Sequence, residues 1–337
     1  MNRRLGISIA LAASAAAAVL AMAAARPPRT GSAASAPAPR HVASAAASSP
    51  ADPEFGSWWH DGKAELDGYR YTVQRYGQSR TGRAVAIYVT EPFSRARHVK
   101  LDDPARTPAD AVEVLKLNLV RDFQTGIYDY HTMLSLFATA QDFSPLKLAF
   151  TSSEWCGQVS EEVHASGRGL LQRVSSYFEG ESVQQPLPLP AGGVQEDALF
   201  ILLRGLRGPF LGPGETRTLP FLSSPFHRRL THRPAVWGRV AIERLPGTAR
   251  VAVPAGMFDC DVYRVRPDDG RSAWFEIEHA YPHRIVRWRW AAAADGRPLE
   301  GTDGAELTGS VRLDYWRTHA PGDELLLARI GLGPATQ

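Results

Sequence analysis

Along most of this chain large apolar residues alternate one for one with polar ones, and clusters of Gly, Pro, Asp and Ser interrupt the alternation at regular spacing. Period two with β-branched and aromatic residues is the mark of strands that bury one face. The clearest run is Val251 to Trp290. Phe258, Cys260 and Val262 fall on one face, with Asp259, Asp261 and Tyr263 on the other. Pro267-Asp268-Asp269-Gly270 then supplies a turn, because Pro fixes φ, Asp bonds its own backbone and Gly accepts positive φ. Ala273 to His279 sets Ala273, Phe275 and Ile277 against Trp274, Glu276 and Glu278. Ala280-Tyr281-Pro282-His283 breaks the run, since Pro cannot donate to a ladder. Arg284 to Trp290 follows, with Val286, Trp288 and Trp290 opposite Arg287 and Arg289.

The earlier chain repeats this style. Lys63 to Thr90 predicts a hairpin: Tyr69, Tyr71 and Val73 share a face, Gly77 to Gly82 forms the loop, and Val85, Ile87 and Val89 share a face on the return. Glu91-Pro92 ends it. Thr107-Pro108 reads as an N-cap and first helical residue, opening a short helix through Ala111 and Val114. Leu115 to Phe123 fits either a helical face or alternation. It is assigned to strand after Lys116, because Gln124-Thr125-Gly126 is a turn. Strands are expected at Tyr130 to Ala138, Leu146 to Ser152, Trp155 to His164 and Gly169 to Phe178, before a Pro/Gly-rich break from Pro186 to Gly193.

Gln195 to Leu206 predicts the main helix. Leu199, Leu202, Leu203 and Leu206 form its apolar stripe, with acids at its start and arginines at its end. Thr216 to Leu222, Ala235 to Leu245 and Leu307 to Trp316 return to strand. In the last, Leu307, Val311, Leu313 and Tyr315 oppose Ser310, Arg312 and Asp314. The fold class expected is mainly β: a long-stranded antiparallel meander forming a curved sheet or half-barrel, with one or two helices packed on it.

The N-terminus changes where that fold is placed. Met1-Asn2-Arg3-Arg4 and an uncharged Ala/Leu/Ile run to Ala25 have the layout of a secretory signal peptide, with small residues for cleavage near Ala23. A retained anchor is the other reading, since the run is long enough to span a bilayer. Residues 26–54 are Ala, Ser and Pro with little to bury, the composition of a disordered linker. The β domain is expected over 55–329, either whole or as halves 55–185 and 194–320, with a short tail over 330–337. Localisation is therefore read as periplasmic or secreted. The net charge is +3 with signs interspersed. No basic block marks a nucleic-acid footprint.

The two cysteines, Cys156 and Cys260, suit an oxidising compartment. A disulfide between them would close a loop of about a hundred residues and contribute roughly 4 to 5 kcal/mol. Buried thiols or a reactive Cys156 are the alternatives.

Residues from about Glu196 to Tyr315 resemble an exported bacterial family known as domain of unknown function 3108. The resemblance rests on Asp197-Ala-Leu-Phe-Ile-Leu-Leu-Arg204, Pro213-Gly214-Glu215, Ile242-Glu243-Arg244, Val253-Pro254-Ala255-Gly256 and Tyr281-Pro282-His283-Arg284-Ile285-Val286. It implies an envelope location and a long-stranded antiparallel sheet. At fold level such sheets are similar to the half-barrels that hold acyl chains in lipoprotein-localisation proteins. A second string, Ser223-Ser224-Pro225-Phe226-His227-Arg228-Arg229, resembles the Ser-Pro-Arg-Arg substrate loop of the Maf nucleotide pyrophosphatases, the septum formation inhibitors. In that family the loop sits at the N-terminus of an α/β scaffold; here a Phe-His pair interrupts it and β meander surrounds it.

Candidate chemistry is sparse. Cys156 would need a nearby base to act as a nucleophile. Glu276, Glu278, His279 and His283 cluster at a strand end, but Pro282 forbids the helix that would align the histidines as metal ligands. No metal or cofactor is assigned. Arg284, Arg287, Trp288, Arg289, Trp290, Arg312 and Trp316 interleave cations with aromatics, which suits a surface for anionic head groups or saccharides as well as cross-strand cation–π packing. The reading is an exported, non-enzymatic binding or scaffold module for a lipidic ligand or an envelope protein, touching membrane only through a retained signal. An envelope hydrolase using Cys156 or the Glu276/His283 cluster, and a Maf-type pyrophosphatase, are the alternatives.

Overall fold

The computed structural model describes residues 54–167, 169–292 and 299–333. The expected signal peptide (1–25), the linker up to residue 53 and the last four residues of the tail lie outside them. Sixteen strands among the described residues form a single sheet.

The first wing contains β1 (Ala64–Arg75), β2 (Gln78–Ser94), the short β3 (Val99–Lys100), β4 (Ala111–Thr125) and β5 (Tyr128–Thr139). It continues through β6 (Pro145–Glu154), β7 (Gly157–Ser166), β8 (Gly169–Ser176) and β9 (Val183–Leu187). The second wing contains β10 (Val194–Gln195), β11 (Thr216–Leu222), β12 (Trp237–Val253) and β13 (Gly256–Pro267). It ends with β14 (Arg271–Glu278), β15 (Ile285–Ala292) and β16 (Asp303–Leu313).

Strands adjacent in sequence are adjacent in the sheet, β3 hanging off β2 aside, and β16 pairs antiparallel with β1. The strand order is thus a ring cut once, between β9 and β10. Side chains bridge the cut where the ladder does not: Val163, Leu170 and Leu187 pack with Leu222, Ala235 and Trp237. The mainly β, curved antiparallel sheet expected from alternation is what the chain forms.

Burial follows the alternation. Tyr69, Tyr71 and Val73 point into one shared core together with Ala84, Ala86 and Tyr88 on β2, where Ala84 is directly opposite Tyr69. Val85, Ile87 and Val89 do share a face, but it is the outer one. The β1–β2 loop is only Tyr76-Gly77, and β2 runs through Pro92 to Ser94, so both predicted ends of this hairpin move. The helix expected at Thr107-Pro108 is a 3-10 turn at Pro104–Arg106 instead. Strand β4 begins at Ala111, because pairing with β2 outweighs the local capping signal. Trp155 and Cys156 form the β6–β7 turn rather than opening a strand.

Two bulges reassign faces. Thr308 is the extra residue where β16 shifts register against Gly68/Tyr69, so Ser310 and Arg312 come opposite Asp67 and Glu65 on the inner side with Leu307. Val286 is extra where β15 shifts against Glu276/Ile277, and it packs with Val251 and Cys260 rather than with Trp288. A single bulge inverts every side chain beyond it. Outside the β1–β16 seam a 3-10 segment, Asp323–Ile330, lies directly on the sheet. A Cβ at Gly68 would sit 2.1 Å from the Ile330 carbonyl oxygen, so glycine is required there.

Short helical segments fill the concave side. Helix α1 (Glu54–Trp59) buries Phe55 and Trp59. The expected amphipathic helix over Gln195 to Leu206 is a 3-10 turn at Glu196–Ala198 followed by α2 (Leu199–Leu202). It is surrounded on all sides, so Glu196 and Asp197 are buried with the leucines. Helix α3 (Pro225–Thr231) has Ser224 as N-cap, its Oγ accepting from the Phe226 amide at 3.2 Å. Pro225 through Leu230 are all buried. The Maf-like string is therefore a capped helix inserted into the sheet's interior, not an exposed substrate loop.

Candidate functional site

The β15–β16 ladder lasts only from Arg287–Glu306 to Arg289–Gly304. Beyond it β15 stays with β14 as far as Ala292–Arg271, while β16 stays with β1. The segment before β16 is tied to β1: Gln74 donates to the Thr302 carbonyl at 2.9 Å, and the Gly301 amide donates to the Gln74 carbonyl at 2.9 Å. Glu300 accepts from the Arg75 guanidinium at 2.9 Å and from the Tyr76 amide at 3.1 Å. The wall therefore forks, and the fork holds a cleft of about 400 Å³ lined by Thr72, Gln74, Trp274, Arg289, Trp290, Ala291, Thr302, Asp303 and Gly304.

Register explains its chemistry. Trp274 and Arg289 are directly opposed, Arg289 is opposed to Gly304, and Gly304 to Thr72. Glycine leaves a gap in that row, where a Cβ would lie 3.0 Å from the Trp288 carbonyl oxygen. One side of the cleft is an indole, another a guanidinium, and the rest hydroxyl and amide groups. Asp303, buried and held to Arg121 at 3.1 Å, sits at the floor. Burial holds its carboxyl above the usual range against the pull of Arg121.

Behind the cleft lies an interior dense in ion pairs. Arg271 binds both carboxylate oxygens of Glu196, at 3.1 and 2.6 Å. Arg228 pairs with Glu161, and Arg229 with Glu154, linking α3 to β7 and β6 across the cut in the ring. Arg204 reaches Glu65 at 2.7 Å and lies 4.3 Å above the Tyr88 ring. Burial and the adjacent Glu65 push Asp67 up to about 8, and burial with Glu196 pushes Asp197 to about 7. Both acids thus hold protons to near neutrality, which removes charge that the interior does not balance.

The predicted Arg/Trp surface does not come together as one face. Trp288 and Trp290 point inward, Trp288 against Tyr69 at 4.9 Å and Phe200 at 5.1 Å. Arg287 and Arg289 point outward onto Glu276, at 2.7 and 3.3 Å for their Nη2 atoms. Arg284 is held by Glu278 at 2.7 Å. Arg312 lies between Trp58 and Trp59, 5.2 Å above each ring, and Trp316 is exposed beside Tyr315. Of the seven, Arg289 and Trp290 line the cleft. Within β15 the interleaving was in/out alternation, with Arg287 and Arg289 on the outward positions, whereas Arg312 lies on the inner side of β16.

Both cysteines are free: Cys156 is exposed in the β6–β7 turn and Cys260 is buried in β13, its thiol pushed up to about 12 by burial and nearby acids. The candidate disulfide is not formed. The Glu276/His283 cluster is dispersed as well, with both acids taken by arginines, His279 at 3.2 Å from Asp261, and His283 bonded to the Glu278 carbonyl at 3.2 Å. No group of three or more His, Cys, Asp or Glu among the described residues is placed to hold a metal ion. Sequence reading missed Thr72, Gln74, Trp274, Thr302 and Asp303. Their common signal was only the early end of the β15–β16 ladder, which one sequence does not reveal.

No family model and no curated protein matches the chain. Solved structures similar to the chain at low identity include the following. A β-barrel-like protein of domain of unknown function DUF1849 from Brucella abortus shares 11% identity over 74% of this chain and 98% of its own, with TM-score 0.38. A DUF1089 family protein from Pseudomonas aeruginosa shares 14% over 51% and 82%, with TM-score 0.32. A Bacteroides fragilis protein with a YmcC-like fold, provisionally described as exported, shares 12% over 73% and 95%, with TM-score 0.22. None carries an activity in its name.

Proposed function

We propose that this is an exported envelope protein that binds a small acidic saccharide in the cleft where β15 and β16 part. One observation carries the reading: Trp274, Arg289, Thr72, Gln74 and Thr302 converge on a single open cleft of about 400 Å³. An indole face covers the apolar face of a sugar ring, a guanidinium takes a carboxylate in a fork, and hydroxyl and amide groups take the ring hydroxyls. The volume suits one or two sugar rings and lies at the lower end for small-molecule sites. The concave side is occupied by α1, α2 and α3 and their ion pairs, which favours a polar ligand at the fork over an acyl chain inside. The signal-like N-terminus and the resemblance of the second wing to domain of unknown function 3108 support the envelope location.

The test uses a matched pair of probes. N-acetylmuramic acid and N-acetylglucosamine differ by one lactyl carboxylate, and each is titrated calorimetrically into the full chain. The acid binds, and Arg289→Ala brings its affinity down to that of the neutral sugar. Trp274→Ala weakens both. Absence of heat with either sugar at millimolar concentration removes the saccharide reading.

A further inference from the structure

Following the strands from β1, every second turn of the first wing emerges at the same end of the sheet. These are Tyr76-Gly77 after β1, Gly126-Ile127 after β4, Trp155-Cys156 after β6, and the Tyr177 turn after β8. Each carries one large apolar side chain outward: Tyr76 is 52% exposed, Ile127 78%, Trp155 70% and Tyr177 67%. Two-residue hairpin turns ordinarily hold small polar residues there, because Asn and Gly fit the φ values and water solvates the tip. Three consecutive two-residue departures at one end, joined by Tyr177 in the longer fourth turn, leave large apolar side chains in solvent there.

The tips form one patch. The Tyr128 and Trp155 rings lie 6.5 Å apart, and Tyr128 donates its hydroxyl to that of Tyr76 at 3.0 Å. Tyr177 lies against Gly157, where a Cβ would come within 2.4 Å of its ring. No helix among the described residues is long and apolar enough to cross a membrane. The rim is instead a row of separate amphipathic side chains.

We infer that this rim docks the protein onto the interface of a lipid bilayer, with Tyr76, Ile127, Trp155 and Tyr177 set among the headgroups. Three features select bilayer over a protein partner. Trp and Tyr keep a polar edge wet while burying a ring, the balance that concentrates them at membrane–water interfaces. The side chains project from separate tips rather than forming a flat face, so a deformable phase fits them better than a preformed surface. The three two-residue tips carry no acid or base and the Tyr177 turn adds only the acids Glu179 and Glu181, so apolar insertion rather than attraction to anionic lipid drives the contact.

Cys156 supplies the readout, because it sits on the rim while Cys260 is buried. The full chain is mixed with phosphatidylcholine vesicles, floated, and its Cys156 alkylation rate with a maleimide is measured against vesicle concentration. The inference expects flotation together with at least a tenfold fall in that rate, and the same partitioning when phosphatidylglycerol is added. A Trp155→Ser/Tyr177→Ser chain should partition at least tenfold more weakly, and Ile127→Ser should weaken it too, with circular dichroism unchanged. Flotation with an unchanged alkylation rate would mean that the N-terminal apolar run carries the chain, and it overturns the inference. So does a failure to float, which leaves the rim to an apolar protein partner.

Discussion

Arg204 and Arg287 lie on opposite sides of one sheet, and each is paired with a glutamate. The inner pair, Arg204–Glu65, has side chains 0% and 1% exposed, and the arginine also donates to the carbonyls of Pro282 and His283 at 2.8 and 3.1 Å. The outer pair, Arg287–Glu276, is 21% and 7% exposed and belongs to a lattice that continues through Glu306 to Arg70. Inside, desolvation is already complete, so either partner alone would be an uncompensated buried charge. Outside, Arg289 stays 3.3 Å from Glu276, so a neighbouring charge replaces a lost Arg287. The same two residue types thus lock the helical filling to the sheet on one side and cover a solvated strand face on the other.

The largest effect should come from Arg204→Ala. It strands Glu65 and frees two carbonyls, and a loss of about 3 to 5 kcal/mol is expected. Urea unfolding monitored by tryptophan fluorescence measures it. A loss under about 1 kcal/mol would mean that water reaches this pair and the inside/outside contrast is wrong.

Asp67 sharpens the contrast by pH. Its folded value of about 8 lies above the ordinary carboxyl value, because burial and Glu65 oppose ionisation. The unfolded chain then binds fewer protons than the folded one between pH 4 and 8. Stability is full below pH 4 and falls as pH rises toward 8. Asp67→Asn should remove much of that slope, leaving stability at pH 4 unchanged and raising it at pH 8, on the order of a few kcal/mol. Thermal melts of both chains across that range would show it, and parallel curves would contradict it. Arg287→Ala, the smallest of the three, should cost no more than about 1 kcal/mol.

The strands were legible because burying one face of a sheet imposes period two on the chain, and β13, β14 and β15 appear within a residue or two of their predicted bounds. The helical filling was not. A helix enclosed on all sides has no polar face to write an amphipathic pattern, so Gln195 to Leu206 gave leucine spacing but concealed the burial of Glu196 and Asp197. Helix α3 was not expected at all, and nothing local says that Arg228 and Arg229 meet Glu161 and Glu154 on distant strands. Bulges at Thr308 and Val286 reversed faces that alternation alone assigned. The cleft was hidden for a similar reason. It arises from where a ladder stops, and Arg289 and Trp290 were noted for their type while Trp274 passed as an ordinary strand residue and Asp303 fell before the predicted start of the last strand.

The central claim is that α3 is a fixed part of the interior, closing the cut in the strand ring through its two arginine–glutamate pairs. Hydrogen exchange of the Phe226 to Leu230 amides tests it directly. If the claim holds, these amides exchange only with global unfolding, as slowly as those of β4 and β5, and faster in Arg229→Ala. Exchange within minutes in the unaltered protein, with the strands still protected, would show α3 to be a movable lid and would contradict the account.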